Sequence, residues 1–461
     1  MADPAANSAI DLSRPQHVHL VGIGGAGMSA YATVLAALGH AVSGSDLKES
    51  PTLDRLRAQG VEVTVGHAAE NLGDVDAVAV STAIRATNPE VVEAHRRGLP
   101  VLRRAELLAA ITATRRTVAV SGTHGKTTTS SMLALVLVEA GMRPSFIVGG
   151  DVNEIGSGAA WSEGEWLVVE ADESDGTFVE LNAEAVVVTS VEPDHLDFYG
   201  TPAAIEEAFA RFLAAPGPKV VSADEPTAAR LGRAAGAVTY GWSENSDYRI
   251  VDVSHGRSAV AFGIAHEGET LGRIELPVPG LHNAQNATAA TVMALLLGAE
   301  FHAAASALAR FGGVARRFQF RGEANGVTFV DDYAHNPGKV AAVLAAARVG
   351  GWRRVVCVFQ PHLFSRTADL AAAFGSAFQD ADLVVITDIY GAREEPRPGV
   401  TGKLIVDAIA EADPGRRVVW LPRHGDLVRV VPTLLRPGDL CLVAGAGDIT
   451  QLPDELLAAM A

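Results

Sequence analysis

The sequence predicts an α/β protein of three modules, on three observations. Short runs of Val, Ile and Leu alternate with Ala- and Leu-rich stretches along the chain, which is the rhythm of βαβ units. Run after run ends in glycine or polar residues, the kind of carboxyl edge at which open α/β sheets bind ligands. The 461 residues exceed what one hydrophobic core organises and favour two to four units. The expected boundaries are 1–114, 115–314 and 315–461.

The first module opens on HVHLVGI, from His17 to Ile23. Gly24-Gly25-Ala26-Gly27, an Ala/Leu-rich helix stopping at Gly39, and the strand AVSGSD follow, a βαβ beginning. VEVTV from Val61 and VDAVAVSTA from Val75 continue the sheet to about Thr114. The second module starts with TVAVSG, passes through a helix, and contains the strands WLVVEAD and AVVVTSVEPD. Over residues 238–279 the pattern changes to short alternating runs with polar turns, predicting a small antiparallel appendage, and the helical HNAQNATAATVMALLLG closes the module. The α/β rhythm resumes near Ala315 through VTFVDDYAH, RRVVCVFQPH, ADLVVITDIYG, RRVVWLP and DLCLVAGAGD.

Composition narrows the functional classes. Hydrophobic residues at 48% and charged residues at 20% suit buried cores and exclude a mostly disordered chain. The 46 glycines lack an every-third-residue period, which excludes a collagen-like fibre. Lys plus Arg number 37 against 54 Asp plus Glu, a net charge of −17, with no concentrated basic stretch, so no nucleic-acid partner is expected. An anionic small molecule remains compatible if cations cluster locally. Cys357 and Cys441 lie in apolar strand-like runs and read as core residues of a protein from a reducing compartment. The first sixteen residues lack a signal peptide's basic start and apolar centre, and no run is long and apolar enough for membrane insertion, so the expected location is cytoplasmic.

Two glycine-rich turns carry the chemistry. Gly22, Gly24 and Gly27 form GxGxxG at a strand-to-helix turn, with Asp46 at the distance of a ribose-binding carboxylate. Physically the turn lets a diphosphate approach the backbone at a helix start. Three readings stay open on it: a dinucleotide redox cofactor, another nucleotide diphosphate, or glycines needed only for strand–helix packing. The second turn is Ser121-Gly122-Thr123-His124-Gly125-Lys126-Thr127-Thr128-Thr129. Its backbone N–H groups can cradle phosphates, Lys126 supplies a cation for the β and γ phosphates, and the Thr127 hydroxyl can bind Mg²⁺. Val120 replaces the first glycine of the general phosphate-loop pattern, which argues against a generic kinase or GTPase. Two strand ends then bring acids, Glu170-Ala171-Asp172-Glu173-Ser174-Asp175 and Glu192-Pro193-Asp194-His195-Leu196-Asp197. Carboxylates beside a triphosphate need cations between them; Glu170 and His195 are the chosen ligands, the rest including caps and solvated acids. Because Mg²⁺ prefers oxygen, His195 can instead orient a water or a phosphate.

Taken together, VGIGGAGMSA, SGTHGKTTT, VVEADESD, PDHLD, PGLHNAQNA, ARRFQFRG, DDYAHNP and QPHLFSRT resemble the Mur ligase family over nearly the whole chain, with GIGGAGMS and DDYAHNP pointing to its alanine-adding branch. The resemblance implies a Rossmann-like first domain, a central P-loop ATPase-like domain with the appendage, and a Rossmann-like third domain. It assigns the first glycine turn to a UDP-sugar, with Gly24, Gly25, Ala26 and Gly27 on the diphosphate and Asp46, His67 and Ser81 as further contacts. Gly122, Thr123, His124, Gly125, Lys126, Thr127 and Thr128 would bind ATP; Thr127, Glu170 and His195 would hold Mg²⁺, for which Mn²⁺ can substitute. His282, Asn283 and Asn286 resemble the adenine-binding segment, Arg316 or Arg317 an arginine for nucleotide phosphates, and Asp332, His335, His362 and Arg366 groups that approach ATP and the amino acid. Several relatives carry a carbamylated lysine in the central domain, whereas no lysine occurs here between Lys126 and Lys219.

The activity implied is ATP-dependent joining of L-alanine to UDP-N-acetylmuramate through an acyl phosphate, with Lys126, His195, Glu170, Arg366 and His335 as catalytic residues. The implied assembly is a monomer or homodimer. The competing readings are a ligase that recycles a ready-made peptide onto the same sugar, an NAD-dependent oxidoreductase and a non-catalytic nucleotide switch.

Overall fold

A computed structural model describes residues 10–152, 155, 157–256, 259–392 and 394–460. The chain divides into two compact units, one built of residues up to 254 with 260–277 and 281–312, the other mainly of residues 313–461. The first unit holds two sheets and the second holds one.

The first sheet has five parallel strands in the order Glu62–Val65, Ala41–Asp46, His17–Val21, Ala77–Val80, Val101–Arg103. Its central strands read as continuous apolar runs because helices cover both faces, and Val18, Leu20 and Val21 are fully buried. Strand order reverses between His17–Val21 and Ala77–Val80, so the turn after Val21 opens at the point where such sheets bind ligands. That turn starts the helix Ala26–Ala37, whose N-cap Gly25 offers no side-chain acceptor to the first helical amides. The helices beginning at Pro51, Pro89 and Pro202 are capped by Ser50, Asn88 and Thr201, which satisfies amides left open at Gly25.

The second sheet has ten strands. Its middle is parallel: Arg116–Ser121 lies between Ala185–Val188 and Trp166–Glu170, and Lys219–Ser222 and Val238–Gly241 follow outward from Ala185–Val188. The region expected as an antiparallel appendage is the continuation of this sheet. Val238–Gly241 pairs parallel with Lys219–Ser222 and also with Tyr248–His255, and the antiparallel pairing lies in the hairpin Val260–His266/Glu269–Leu276. A second hairpin, Ser145–Val152/Ser157–Ala160, ends the opposite edge. The helices Lys126–Glu139 and Leu281–Leu296 pack on the sheet through small and β-branched residues that are almost all buried.

The second unit has six strands in the order Gln319–Ala324, Val327–Asp332, Asp439–Ala444, Arg354–Phe359, Leu383–Ile386, Val418–Trp420, parallel except for the first. Every residue of Val327–Asp332 and Asp439–Ala444 is buried. Cys357 and Cys441 are free and fully buried on neighbouring strands, as expected of core residues, and burial pushes both thiols up.

Candidate active site

The first glycine turn is braced by a carboxylate. Asp46, last in its strand, accepts the Gly24 N–H at 2.9 Å on Oδ2 and the Leu47 N–H at 2.7 Å on Oδ1. Ser81 sits across the strand-order reversal, and a Cβ built on Gly22 would lie 3.1 Å from its own. His67 follows the neighbouring strand at the same edge, its Nδ1 2.9 Å from Ser45 Oγ. Gly24, Gly25, Ala26, Gly27, Asp46, His67 and Ser81 therefore share one end of one sheet.

Behind His67 lies a charge that sequence reading missed. Glu90 is fully buried and accepts from Ser45 Oγ at 2.6 Å, Asn71 Nδ2 at 2.6 Å and the Ala68 N–H at 3.2 Å. His19 and His67 bring ring nitrogens to 3.6 and 3.5 Å. Burial alone would raise the Glu90 pKa, but the nearby His19 ring and the hydrogen bonds from Ser45 and Asn71 outweigh it and hold the group at about 2 against the ordinary 4.5. A carboxyl depressed in the folded state contributes stability above its unfolded pKa and loses it as pH falls toward the folded value, here from about 4.5 to 2. That difference is roughly 3 kcal/mol. Glu90→Gln should thus destabilise the first unit at pH 7 and much less at pH 3. Urea unfolding followed by hydrogen exchange of residues 17–103 measures this, and equal penalties at both pH values would show that charge is not what the network holds.

The second turn is seated on the neighbouring strand end. Thr123 N–H donates to Ser190 O at 3.1 Å, His124 N–H to Ser190 Oγ at 3.0 Å, and Glu192 N–H to Thr123 Oγ1 at 2.9 Å; the Thr189 hydroxyl donates to His124 O. Two loop amides are thus committed to protein. Among the described residues the amides of Gly125, Lys126, Thr127 and Thr128 have no acceptor, and Gly125 provides no side-chain cap. Open donors at a helix start suit phosphate. Asn286 lies against Gly125, where an added Cβ would collide with its Oδ1. Asn283 and Asn286 are buried in the first turns of Leu281–Leu296, and His282 between them and the helix start is exposed.

The Lys126 ammonium is 2.7 Å from Gly122 O and makes a close ion pair with Glu173, 2.9 Å to Oε1 and 2.7 Å to Oε2. Glu173 is buried, with Tyr199 OH donating to its carbonyl at 2.6 Å and His195 Nε2 3.8 Å from its Oε1. Burial pushes its carboxyl up, which Lys126 opposes. Glu170 ends its strand and accepts the Gly149 N–H at 2.7 Å. Asp172 and Asp175 cap the turns at Ser174 and Thr177, and Asp194 accepts the His195 N–H. The acidic run thus divides into turn formers, Glu170 held by the Gly149 N–H, and Glu173 paired with the loop's Lys126. Glu173 was one acid among several in the sequence, and only the fold reveals its pairing with Lys126.

In the second unit the expected residues gather after the carboxyl ends of two strands. Asp332, almost fully buried, is occupied by backbone: Phe318 N–H at 2.8 Å and Ala334 N–H at 2.7 Å. Arg316 donates to Gly445 O and Gly447 O at 2.6 and 3.2 Å, whereas Arg317 has no side-chain hydrogen bond among the described residues and lies 5.6 Å from the Tyr333 ring centre. His335 Nδ1 lies 2.8 Å from Tyr333 O and must carry the proton there. Burial, with the charges of Lys339 and Arg366 adding, lowers its pKa to about 3, so at neutral pH it is an uncharged ring with an acceptor Nε2. Arg366 Nη1 is 3.2 Å from His362 Nδ1, and Tyr390 stacks on the His362 ring at 5.9 Å.

Two glycine turns that each open a helix after a parallel strand, followed by a third α/β sheet, define the class. Family models described as "Mur ligase family, catalytic domain", "Mur ligase middle domain" and "Mur ligase, glutamate ligase domain" match residues 17–116, 120–294 and 316–447. The chain belongs to the Mur ligase family and is an ATP-dependent ligase. It is 47% identical over 450 residues to a UDP-N-acetylmuramate–L-alanine ligase from an Anaeromyxobacter species, covering 96% of this chain and 98% of that protein. It is 48% identical to the enzyme of that name from Kineococcus radiotolerans, covering 99% of each. Among solved structures it is similar to UDP-N-acetylmuramate-alanine ligase from Thermotoga maritima, with a TM-score of 0.79, 29% identity and coverage of 96% and 98%.

Proposed function

We propose that the chain joins L-alanine to the lactyl carboxylate of UDP-N-acetylmuramate, converting ATP to ADP and orthophosphate, as a step in cytoplasmic peptidoglycan precursor synthesis. The observation that carries this is the near-full-length likeness to relatives of that name, 47% identical over 96% of this chain. Among the described residues no helix is long and apolar enough to cross a membrane.

The chemistry follows from the substrates. A carboxylate resists attack by an amine because the expelled group would be an oxide. Transfer of the γ-phosphoryl group to a carboxylate oxygen gives an acyl phosphate, whose phosphate departs when the alanine nitrogen attacks the carbonyl carbon. Charge gathers on the moving phosphoryl group, and Lys126 with the open amides of the loop stabilises it in place. The amine of free alanine, protonated at neutral pH, gives up a proton before it attacks. His335, held neutral with its Nε2 as an acceptor, suits a polar contact rather than a cationic one.

Mg²⁺ fits the donor set. Among the described residues no three His, Cys, Asp or Glu groups converge into a metal cage, but Mg²⁺ beside nucleotides uses one or two protein oxygens and completes its shell with phosphates and water. The Thr127 hydroxyl and the Glu170 carboxylate offer hard oxygens beside the loop, with His195 in reserve for a water or a phosphate. When bound, the ion neutralises phosphate charge.

The test is isotopic. With ¹⁸O in the lactyl carboxylate, one label should appear in orthophosphate for each product formed, and release should require both UDP-N-acetylmuramate and free L-alanine. Unlabelled phosphate rejects the acyl phosphate; release driven by a tripeptide in place of alanine indicates the recycling ligase instead.

A further inference from the structure

The helix Phe364–Ala377 carries Arg366 in its first turn, yet its own sequence gives it no cap. The N-cap is Leu363, which has no side-chain acceptor, and the first turn holds no acidic residue. Leu363 also has φ +73, a conformation that a residue with a side chain keeps only where its surroundings hold it. A cation in the first turn adds to the difficulty, because the positive end of the helix dipole lies there.

A segment from further along the chain supplies what is missing. Tyr390 N–H donates to Pro361 O at 2.9 Å and Leu363 N–H to Tyr390 O at 3.0 Å, a short parallel bridge that also stacks the Tyr390 ring on His362. Beyond it Glu394, 29 residues from Ser365, accepts the Ser365 N–H on Oε2 at 2.7 Å and the Ser365 hydroxyl on Oε1. Burial opposes the charge of Glu394, but the Ser365 hydroxyl and amide, with the charge of Arg397, outweigh it and hold the carboxyl below its ordinary range. Gly391 permits the close approach, since a Cβ there would lie 2.7 Å from Phe364 Cε2. Asp388 Oδ1 closes the neck of the segment, accepting the Ile389 N–H at 2.9 Å and the Gly402 N–H at 3.0 Å.

What this tie fixes is an arginine with donors to spare. Among the described residues Arg366 makes no ion pair, and its one hydrogen bond is the contact with His362 Nδ1 at 3.2 Å, so most of its five N–H groups are open. Glu394 thus offsets the helix start through Ser365 and leaves the guanidinium itself unpaired. We propose that Glu394 is a positioning residue, which through Ser365 fixes the first turn of Phe364–Ala377 and so aims Arg366 at a substrate oxyanion. This rests on the reading of Arg366 as a group that meets substrate. The oxyanion is either the carboxylate of the amino acid or a phosphate of the nucleotide, both of which present the paired oxygens that arginine recognises.

The experiment is steady-state kinetics of the full chain with Glu394→Ala, Glu394→Gln, Arg366→Met and the double variant Glu394→Ala/Arg366→Met. In Glu394→Ala the KM for L-alanine or for ATP should rise ~10-fold, the scale of one misplaced charge-assisted hydrogen bond, while the KM for UDP-N-acetylmuramate stays at its wild-type value. Glu394→Gln, which keeps an oxygen for the Ser365 amide, should recover part of the loss. A rise for L-alanine assigns the oxyanion to the amino acid's carboxylate, and a rise for ATP assigns it to a nucleotide phosphate. With Arg366→Met already present, Glu394→Ala should add nothing to either KM, because the group it places is gone; an undiminished further rise overturns the proposal. Wild-type KM values in Glu394→Ala overturn it too, whatever happens to the melting temperature, as does an equal rise for all three substrates. Should Glu394→Ala fail to fold, Glu394→Gln carries the same comparisons. Wild-type KM values in Arg366→Met would instead refute the reading of Arg366 as a substrate contact.

Discussion

Lys126→Ala should lower the ligation rate by at least ~100-fold, the scale set by removing one preorganised group that faces developing charge, while affinity for the UDP-sugar stays near the wild-type value. The ammonium is fixed by Gly122 O at 2.7 Å and by the ion pair with Glu173, so it meets a nucleotide with little reorganisation. The glycine turn at Gly24 belongs to a different sheet, which is why sugar binding should survive. The variant also strands Glu173, a buried carboxylate, without its cation; removing one partner of such a pair costs about 3–5 kcal/mol. Lys126→Ala/Glu173→Gln separates the two effects. It should recover stability in a thermal melt yet leave phosphate release as slow as in the single variant. Recovery of rate along with stability would mean that Lys126 serves the fold and not the transfer.

The same pair marks what a sequence can and cannot reveal. The strands Ala41–Asp46 and Trp166–Glu170 were legible because each is a short run closed by a polar residue, and their order along the chain placed both glycine turns at carboxyl edges. The family likeness added roles for Lys126, Glu170 and His195. Burial of charge was not legible. Glu90 sits in a helix beginning PEVVEAH and reads as a solvated acid, because its partners come from Ser45, Ala68 and Asn71, far away along the chain. Arg104 likewise looks like one of two arginines before an ordinary helix until the fold sets it against Gly27. The hairpin Ser145–Val152/Ser157–Ala160 was missed because Gly149, Gly150 and Gly158 interrupt the alternation that announces a strand.

Gly122→Ala should be nearly as damaging as the loss of Lys126, for a reason of space rather than charge. Gly122 has φ +138, a conformation costing a side-chain-bearing residue roughly 1–3 kcal/mol. An added Cβ would also collide with the Thr189 hydroxyl and lie 2.9 Å from Ser190 N and 3.0 Å from Ser190 O. Those atoms cannot retreat cheaply, because Ser190 is bonded to the loop through Thr123 and His124; such overlap adds about 1–3 kcal/mol. The loop must therefore shift away from the strand, carrying the open amides of residues 125–128 and the Lys126 ammonium out of register with a triphosphate. ATP affinity should fall by about 100-fold, taking the lower part of this strain as lost binding energy, and the thermal midpoint should drop. Gly39→Ala is the matched control. It too has a positive φ, +89, but its Cβ would meet nothing within 4 Å, so it should cost only about 1 kcal/mol of backbone strain and leave ATP binding intact. If calorimetry found wild-type ATP affinity in Gly122→Ala, the loop between Ser121 and Lys126 would not be the nucleotide's seat.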